Sequence, residues 1–169
     1  MRVYAVNDGP DTDVEVRYGL CALGGGFPLD QRRALRLPSN ASTLVAEIDE
    51  RRWNDLGDQG HAAFAILSAA GREVARDTLF RPLYRDIQWP EARVSVRRDA
   101  DPASPRAVFS SDSFAWRVCV DLDGEKAYPD NFFDLLPGVP YVVEWPQGLG
   151  EPRVLGVGND AMRRHVKKN

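Results

Sequence analysis

Apolar and polar residues alternate at every second position along much of this chain. Val14, Val16, Tyr18, Leu20 and Ala22 share one face of a predicted strand, with Glu15 and Arg17 on the other. Phe114, Trp116, Val118, Val120 and Leu122 repeat the pattern, with Arg117 and Asp121 opposite. Val139, Tyr141, Val143 and Trp145 do so again. Strands with one face on a core and one in water read this way. In the second segment the alternation assigns Trp116 to the core.

Shorter strands are predicted at Val3–Val6, Arg33–Leu37, Leu44–Ile48, Ala62–Ser68, Glu73–Phe80, Arg93–Arg97, Ala107–Ser110 and Arg153–Val157. Turn-forming clusters separate them: Asn7-Asp8-Gly9-Pro10, Gly24-Gly25-Gly26, Pro38-Ser39-Asn40, Asp123-Gly124 and Pro137-Gly138. Gly71 suits a hairpin between two of the strands. Helix is expected only as a short turn at Asp49–Leu56. The run Asn131–Leu136 reads as a helical turn or an irregular loop. Pro82 and Pro90 bracket a stretch without alternation, Arg81–Ala92, because proline interrupts sheet pairing. The fold expected is all-β: two consecutive immunoglobulin-like β-sandwich modules, residues 1–86 and 87–160, followed by a basic tail, 161–169.

The 169 residues carry 22 Lys and Arg against 25 Asp and Glu, for a net charge of −3. That balance offers no cationic surface for a phosphate backbone, so nucleic acid is not an expected partner. The basic cluster Arg163, Arg164, His165, Lys167 and Lys168 reads as a solvated end. No apolar run reaches the ~20 residues of a membrane helix, and the opening MRVYAVNDG lacks a signal-peptide core. Cys21 and Cys119 lie in apolar segments and read as buried hydrophobes, not as a disulfide or zinc pair.

Sites of chemistry are few. His61 and His165 have no nucleophile motif beside them. Asp121-Leu-Asp123-Gly124-Glu125 fails as an EF-hand, because Lys126 and Phe132 stand where glycine and glutamate are required. The cluster Asp8, Asp11 and Asp13 fails likewise, and no metal or cofactor is expected. Asp130 and Asp134 flank aromatics, but nothing marks them as the acid and nucleophile of a glycosidase. Asn40-Ala41-Ser42 is a formal glycosylation acceptor. Trp53, Trp89, Trp145 and Tyr128 are candidates to stack on sugar, Trp53 and Tyr128 foremost; filling cores is the competing role for all of them. Phe132 and Phe133 extend that list.

Ser113-Phe-Ala-Trp-Arg-Val-Cys-Val-Asp-Leu-Asp-Gly124 followed by Asp130-Asn-Phe-Phe-Asp-Leu-Leu-Pro-Gly138 resembles the C-terminal region of β-mannosidases of glycoside hydrolase family 2. Val3-Tyr-Ala-Val-Asn-Asp-Gly9 and Phe80-Arg-Pro-Leu-Tyr-Arg-Asp86 fit the same region. The resemblance implies a parent enzyme that removes terminal β-D-mannose by a retaining mechanism. Its two glutamates would lie on a (β/α)₈ barrel, and no residue here matches either. The expected role is then non-catalytic: bracing that barrel, with Asp130, Asn131, Phe132, Phe133 and Asp134 as a barrel-facing or sugar-contacting loop. Expected partners are the catalytic barrel and a β-mannoside oligosaccharide. The alternatives are an autonomous carbohydrate-binding module and a structural or homodimer-forming domain. Localisation is left open.

Overall fold

The predicted alternation forms strands, arranged as several small antiparallel sheets in two units. The computed structural model describes residues 1–99, 105–124 and 126–166. One unit comprises Met1–Ala22 and Phe27–Leu83; the other comprises Leu23–Gly26 and the chain from Tyr84 onward.

The first unit contains β1 (Arg2–Asn7), β2 (Thr12–Ala22), β3 (Leu29–Leu37), β4 (Ala41–Glu47), α1 (Glu50–Leu56), β5 (His61–Ala69) and β6 (Arg72–Leu79). Its larger sheet has the order β3-β2-β5-β6, and β1 pairs with β4 in a second sheet. Val14 and Val16 of β2 pack with Leu37, Val45 and Ala46, which fills the space between the sheets. At the other end Leu20, Leu29, Ile48, Trp53 and Ala63 form a second cluster. The two clusters follow from the β2 pattern, whose inward positions run the length of the strand.

Local chemistry closes the ends. Asp49 caps α1, its Oδ1 accepting from the Arg51 N–H at 2.9 Å. Gly57 ends that helix at φ 84°, and its N–H donates to the Trp53 carbonyl. Ala70 and Gly71 join β5 to β6 with φ of 50° and 73°, the two left-handed residues of a type I′ hairpin turn. At Gly19 a Cβ would overlap the Leu29 carbonyl oxygen, so β2 and β3 approach there only over a glycine.

The second unit contains β7 (Val94–Arg98), β8 (Arg106–Ser111), β9 (Ala115–Val118), β10 (Phe133–Leu135), β11 (Tyr141–Glu144) and α2 (Gly158–Val166). Its sheets have the orders β11-β8-β7 and β10-β9. Phe109, Val118, Phe133, Leu135, Val143 and Trp145 form the core between them.

The structure corrects four sequence expectations. Asn131–Leu136 is neither helical turn nor loop throughout, because Phe133–Leu135 pairs with β9. Arg153–Val157 forms no strand and contributes a single bridge, Gly156 to Cys119. Helix is not confined to Asp49–Leu56, because α2 runs into the basic segment as far as Val166; Lys167 and Lys168 fall outside the described residues, as does Glu125 of the acidic loop. Asp160 in the first turn of α2 and Arg163 and Arg164 later in it complement the helix dipole. Finally, alternation does not continue through Phe114–Leu122. Arg117 has φ 52°, so the chain twists there: Ala115 and Val118 are buried and Trp116 is only half-buried.

Candidate functional site

The aspartate- and phenylalanine-rich loop of the second unit is built from short backbone contacts. Asn131 is its latch. Its Oδ1 accepts from the N–H groups of Val120 at 3.0 Å and Phe132 at 3.0 Å, and its Nδ2 donates to the Asp121 carbonyl at 2.6 Å. An amide can do this because it offers donors and an acceptor on one rigid plane. Asp130 Oδ1 accepts from the Asn131 N–H at 2.8 Å, and its Oδ2 accepts from the Tyr141 hydroxyl at 2.5 Å. Asp134 Oδ1 accepts from the Arg117 N–H at 2.9 Å. That bond holds the left-handed residue that breaks the β9 alternation.

Both carboxylates of the loop are therefore committed to shaping it. The aromatic residues divide. Phe133 is buried and packs edge-on against Phe109, with ring centroids 5.0 Å apart. Phe132, at φ 59°, turns its ring outward and is 46% exposed. Of the five predicted loop residues, Phe132 alone presents an apolar ring to solvent.

The predicted sugar-stacking residues are placed otherwise. Trp53 is 1% exposed and sits in the core cluster with Leu20 and Ile48, under the Arg81 guanidinium. Neither face of its ring is open to a sugar, which corrects the expectation. The alternation rule could not see this, because Trp53 lies on α1 and not on a strand. Tyr128 is half-buried against Trp145, with centroids 5.2 Å apart, and belongs to the margin of the second core. Trp145 and Trp89 are buried as well.

Trp116 reverses its expectation in the other direction. It lies outside the core, in a three-ring cluster with Tyr84 and Trp89, its centroid 5.0 Å and 4.9 Å from theirs and theirs 6.3 Å from each other. Behind this stack lies a polar side chain that sequence reasoning missed. Asn159, 0% exposed, accepts from the Trp116 N–H at 2.7 Å through Oδ1 and donates through Nδ2 to the carbonyls of Phe114 at 2.9 Å and Pro90 at 3.1 Å. Gly158 precedes it because a Cβ there would fall on the Trp116 ring. The run Gly158-Asn159-Asp160 carries a helix-start signal that would have located this anchor.

The remaining polar candidates are structural. Asp11 Oδ1 accepts from the Ser39 N–H, which with Arg36 holds its carboxyl below the usual range. Arg17 forms a two-pronged pair with Asp30, at 2.9 and 2.8 Å, and lies over the Phe27 ring. The guanidinium lowers the Asp30 pKa, and the carboxylate raises that of Arg17. His61 sets its Nδ1 against the Gly57 carbonyl at 2.9 Å; the side chain of His165 lies outside the described residues. Cys21 and Cys119 are buried thiols. Among the described residues no three His, Cys, Asp or Glu side chains are grouped to hold a metal ion, and no helix is long and apolar enough to cross a membrane.

No protein-family model matches the sequence, and no curated protein does. Solved structures do share the fold. A β-D-mannosidase from Dictyoglomus thermophilum superposes with a TM-score of 0.74 at 20% identity, over 92% of this chain and 20% of that one. The exo-β-D-glucosaminidase CsxA superposes with a TM-score of 0.55 at 14% identity, over 84% of this chain and 22% of that one. The chain thus spans about a fifth of the length of either enzyme. At these identities the likeness is one of fold: an all-β, sandwich-type architecture that also occurs within glycoside hydrolases.

Proposed function

We propose that this chain is a non-catalytic β-sandwich region of a β-mannosidase-like retaining glycoside hydrolase. In this reading it forms two immunoglobulin-like modules, 1–86 and 87–160, that brace a catalytic barrel supplied by the rest of the parent chain. The parent removes terminal β-D-mannose. The observation that carries the proposal is the fold likeness to a β-D-mannosidase over nearly the whole chain, joined to the DNFFDLLPG string at Asp130–Gly138. The loop chemistry supports it. Asp130 spends both oxygens, on the Tyr141 hydroxyl and the Asn131 N–H, and Asp134 spends Oδ1 on the Arg117 N–H, the bonding of a shape-holding loop. Phe132 is then the side chain left to meet the barrel or its substrate.

The test is hydrolysis of 4-nitrophenyl β-D-mannopyranoside. The isolated chain is expected to release no nitrophenol, and the polypeptide encoded together with its upstream reading frame is expected to release it. Enzyme-like turnover by the isolated chain, or an upstream frame without a barrel, refutes the proposal. Burial of Trp53 weighs against the rival reading of an autonomous carbohydrate-binding module.

A further inference from the structure

Within the first unit the strand edges differ in how they are protected. Sheet edges pair readily with other chains, and proteins blunt them with charge, proline or bulges. The edge strand β3 carries Asp30, Arg32, Arg33 and Arg36, and the edge strand β6 carries Arg72, Glu73, Arg76 and Asp77. In the β1–β4 sheet the irregularity falls on β4, where Val45 is the extra residue between the partners of Val3 and Tyr4. β1 carries charge only at its first residue, Arg2, which is paired with Glu47 of β4 at 3.0 Å. Its central run, Val3-Tyr4-Ala5-Val6, is uncharged and regular, and among the described residues β4 is its one strand neighbour.

The faces of β1 are apolar as well. Tyr4 is 54% and Val6 69% exposed on the outer side, beside Leu44. On the inner side β1 borders a groove of about 200 Å³, lined by apolar residues such as Val3, Ala5, Val16 and Val45, with Arg76 and Asp77 of β6 on its far wall. An open edge beside a largely apolar slot is suited to an added strand.

We propose that the occupant is a second copy of this chain, pairing β1 against β1 antiparallel about a two-fold axis at Ala5. The sequence of the strand selects this partner and this register. With Ala5 opposite Ala5 of the copy, Tyr4 meets Val6, Val3 meets Asn7, and Arg2 meets Asp8. Each exposed apolar residue covers its counterpart, and the opposite charges at the strand ends align. Shifting the axis to Tyr4 sets Arg2 against Val6 and loses both matches. The result is a continuous sheet, β4-β1-β1-β4, closed by symmetry, with the groove beside each β1 covered by the other subunit. The proposal does not depend on sugar chemistry.

Sedimentation equilibrium of the full chain tests it, with folding of each variant checked by circular dichroism. The wild type is expected to show a concentration-dependent monomer–dimer equilibrium. Tyr4→Glu and Val6→Lys, at exposed positions, each weaken dimerisation about tenfold or more. The double variant sets Glu against Lys across the axis and recovers it. Ala5→Cys places two thiols on the axis, within the 4.4–6.8 Å Cα separation a disulfide needs. It is expected to run as a covalent dimer without reductant, and Thr43→Cys on β4 as a monomer. A wild-type monomer at every concentration overturns the proposal and leaves the edge to a different chain. So does a dimer that is indifferent to Tyr4→Glu and not crosslinked through Ala5→Cys.

Discussion

Asn159→Ala is expected to be the most damaging change of a polar residue in the second unit. The side chain is fully buried and makes three hydrogen bonds, at 2.7, 2.9 and 3.1 Å, to backbone groups of Trp116, Phe114 and Pro90. Each bond contributes a net of about 1 kcal/mol, and a buried N–H left without its acceptor costs about 1–3 kcal/mol more. Alanine removes all three bonds and strands the Trp116 N–H. The expected loss is about 4–6 kcal/mol, against a total of about 5–15 kcal/mol for a typical domain. Urea unfolding followed by near-ultraviolet circular dichroism is the assay, since Trp116 and its two stacked neighbours should dominate that signal. Asn159→Asp sharpens the test. It keeps the oxygen facing the Trp116 N–H but sets a carboxylate against two carbonyl oxygens. Protonation relieves that repulsion, so the folded-state pKa of the new carboxyl lies above its unfolded value. The Asp variant should therefore be least stable near neutral pH and recover as pH falls toward the carboxylate range. A loss below about 1 kcal/mol for Asn159→Ala, or a pH-independent deficit for Asn159→Asp, would show that these three bonds do not anchor α2.

Gly158→Ala drives a methyl into the Trp116 ring and within 2.9 Å of its carbonyl oxygen. It should cost about 1–3 kcal/mol and disturb the same near-ultraviolet signal; an unchanged urea midpoint would show that the ring yields freely. Ala70→Asn should stabilise the first unit by about 0.5–1 kcal/mol, because alanine at φ 50° is strained where asparagine is tolerated; a lowered melting temperature would contradict this. Arg17 depresses the Asp30 pKa, so that pair stabilises the fold above about pH 4 and the benefit fades as pH falls below it. Asp30→Asn should flatten the acid limb of the stability–pH curve, by less than about 1 kcal/mol because both side chains reach water. An unaltered acid limb would assign the loss to other carboxylates.

How far the sequence could be read depends on the range of the interactions. Alternation is a local property of a strand with one buried face, so β2 and β11 were legible residue by residue. So was the Gly71 hairpin, because a two-residue turn needs left-handed residues. The DNFFDLLPG string was legible as a shaped loop, since aspartate and asparagine bond to nearby backbone. Its partners were not: Asp134 answers Arg117, and Asn131 answers Val120 and Asp121, across turns that alternation does not describe. Trp116 and Trp53 exchanged their expected places for the same reason. A left-handed Arg117 turned one out of the core, and a short helix carried the other into it. An all-β chain of short strands, its turns and most strand positions follow from the order of residues, because those rest on contacts between residues close along the chain. Which aromatic rings are buried, how Asn159 anchors α2, and which sheet edge stays open emerge with the packed fold. Those depend on groups far apart in sequence meeting in space, where one left-handed residue or one buried amide reverses what a period of two predicts.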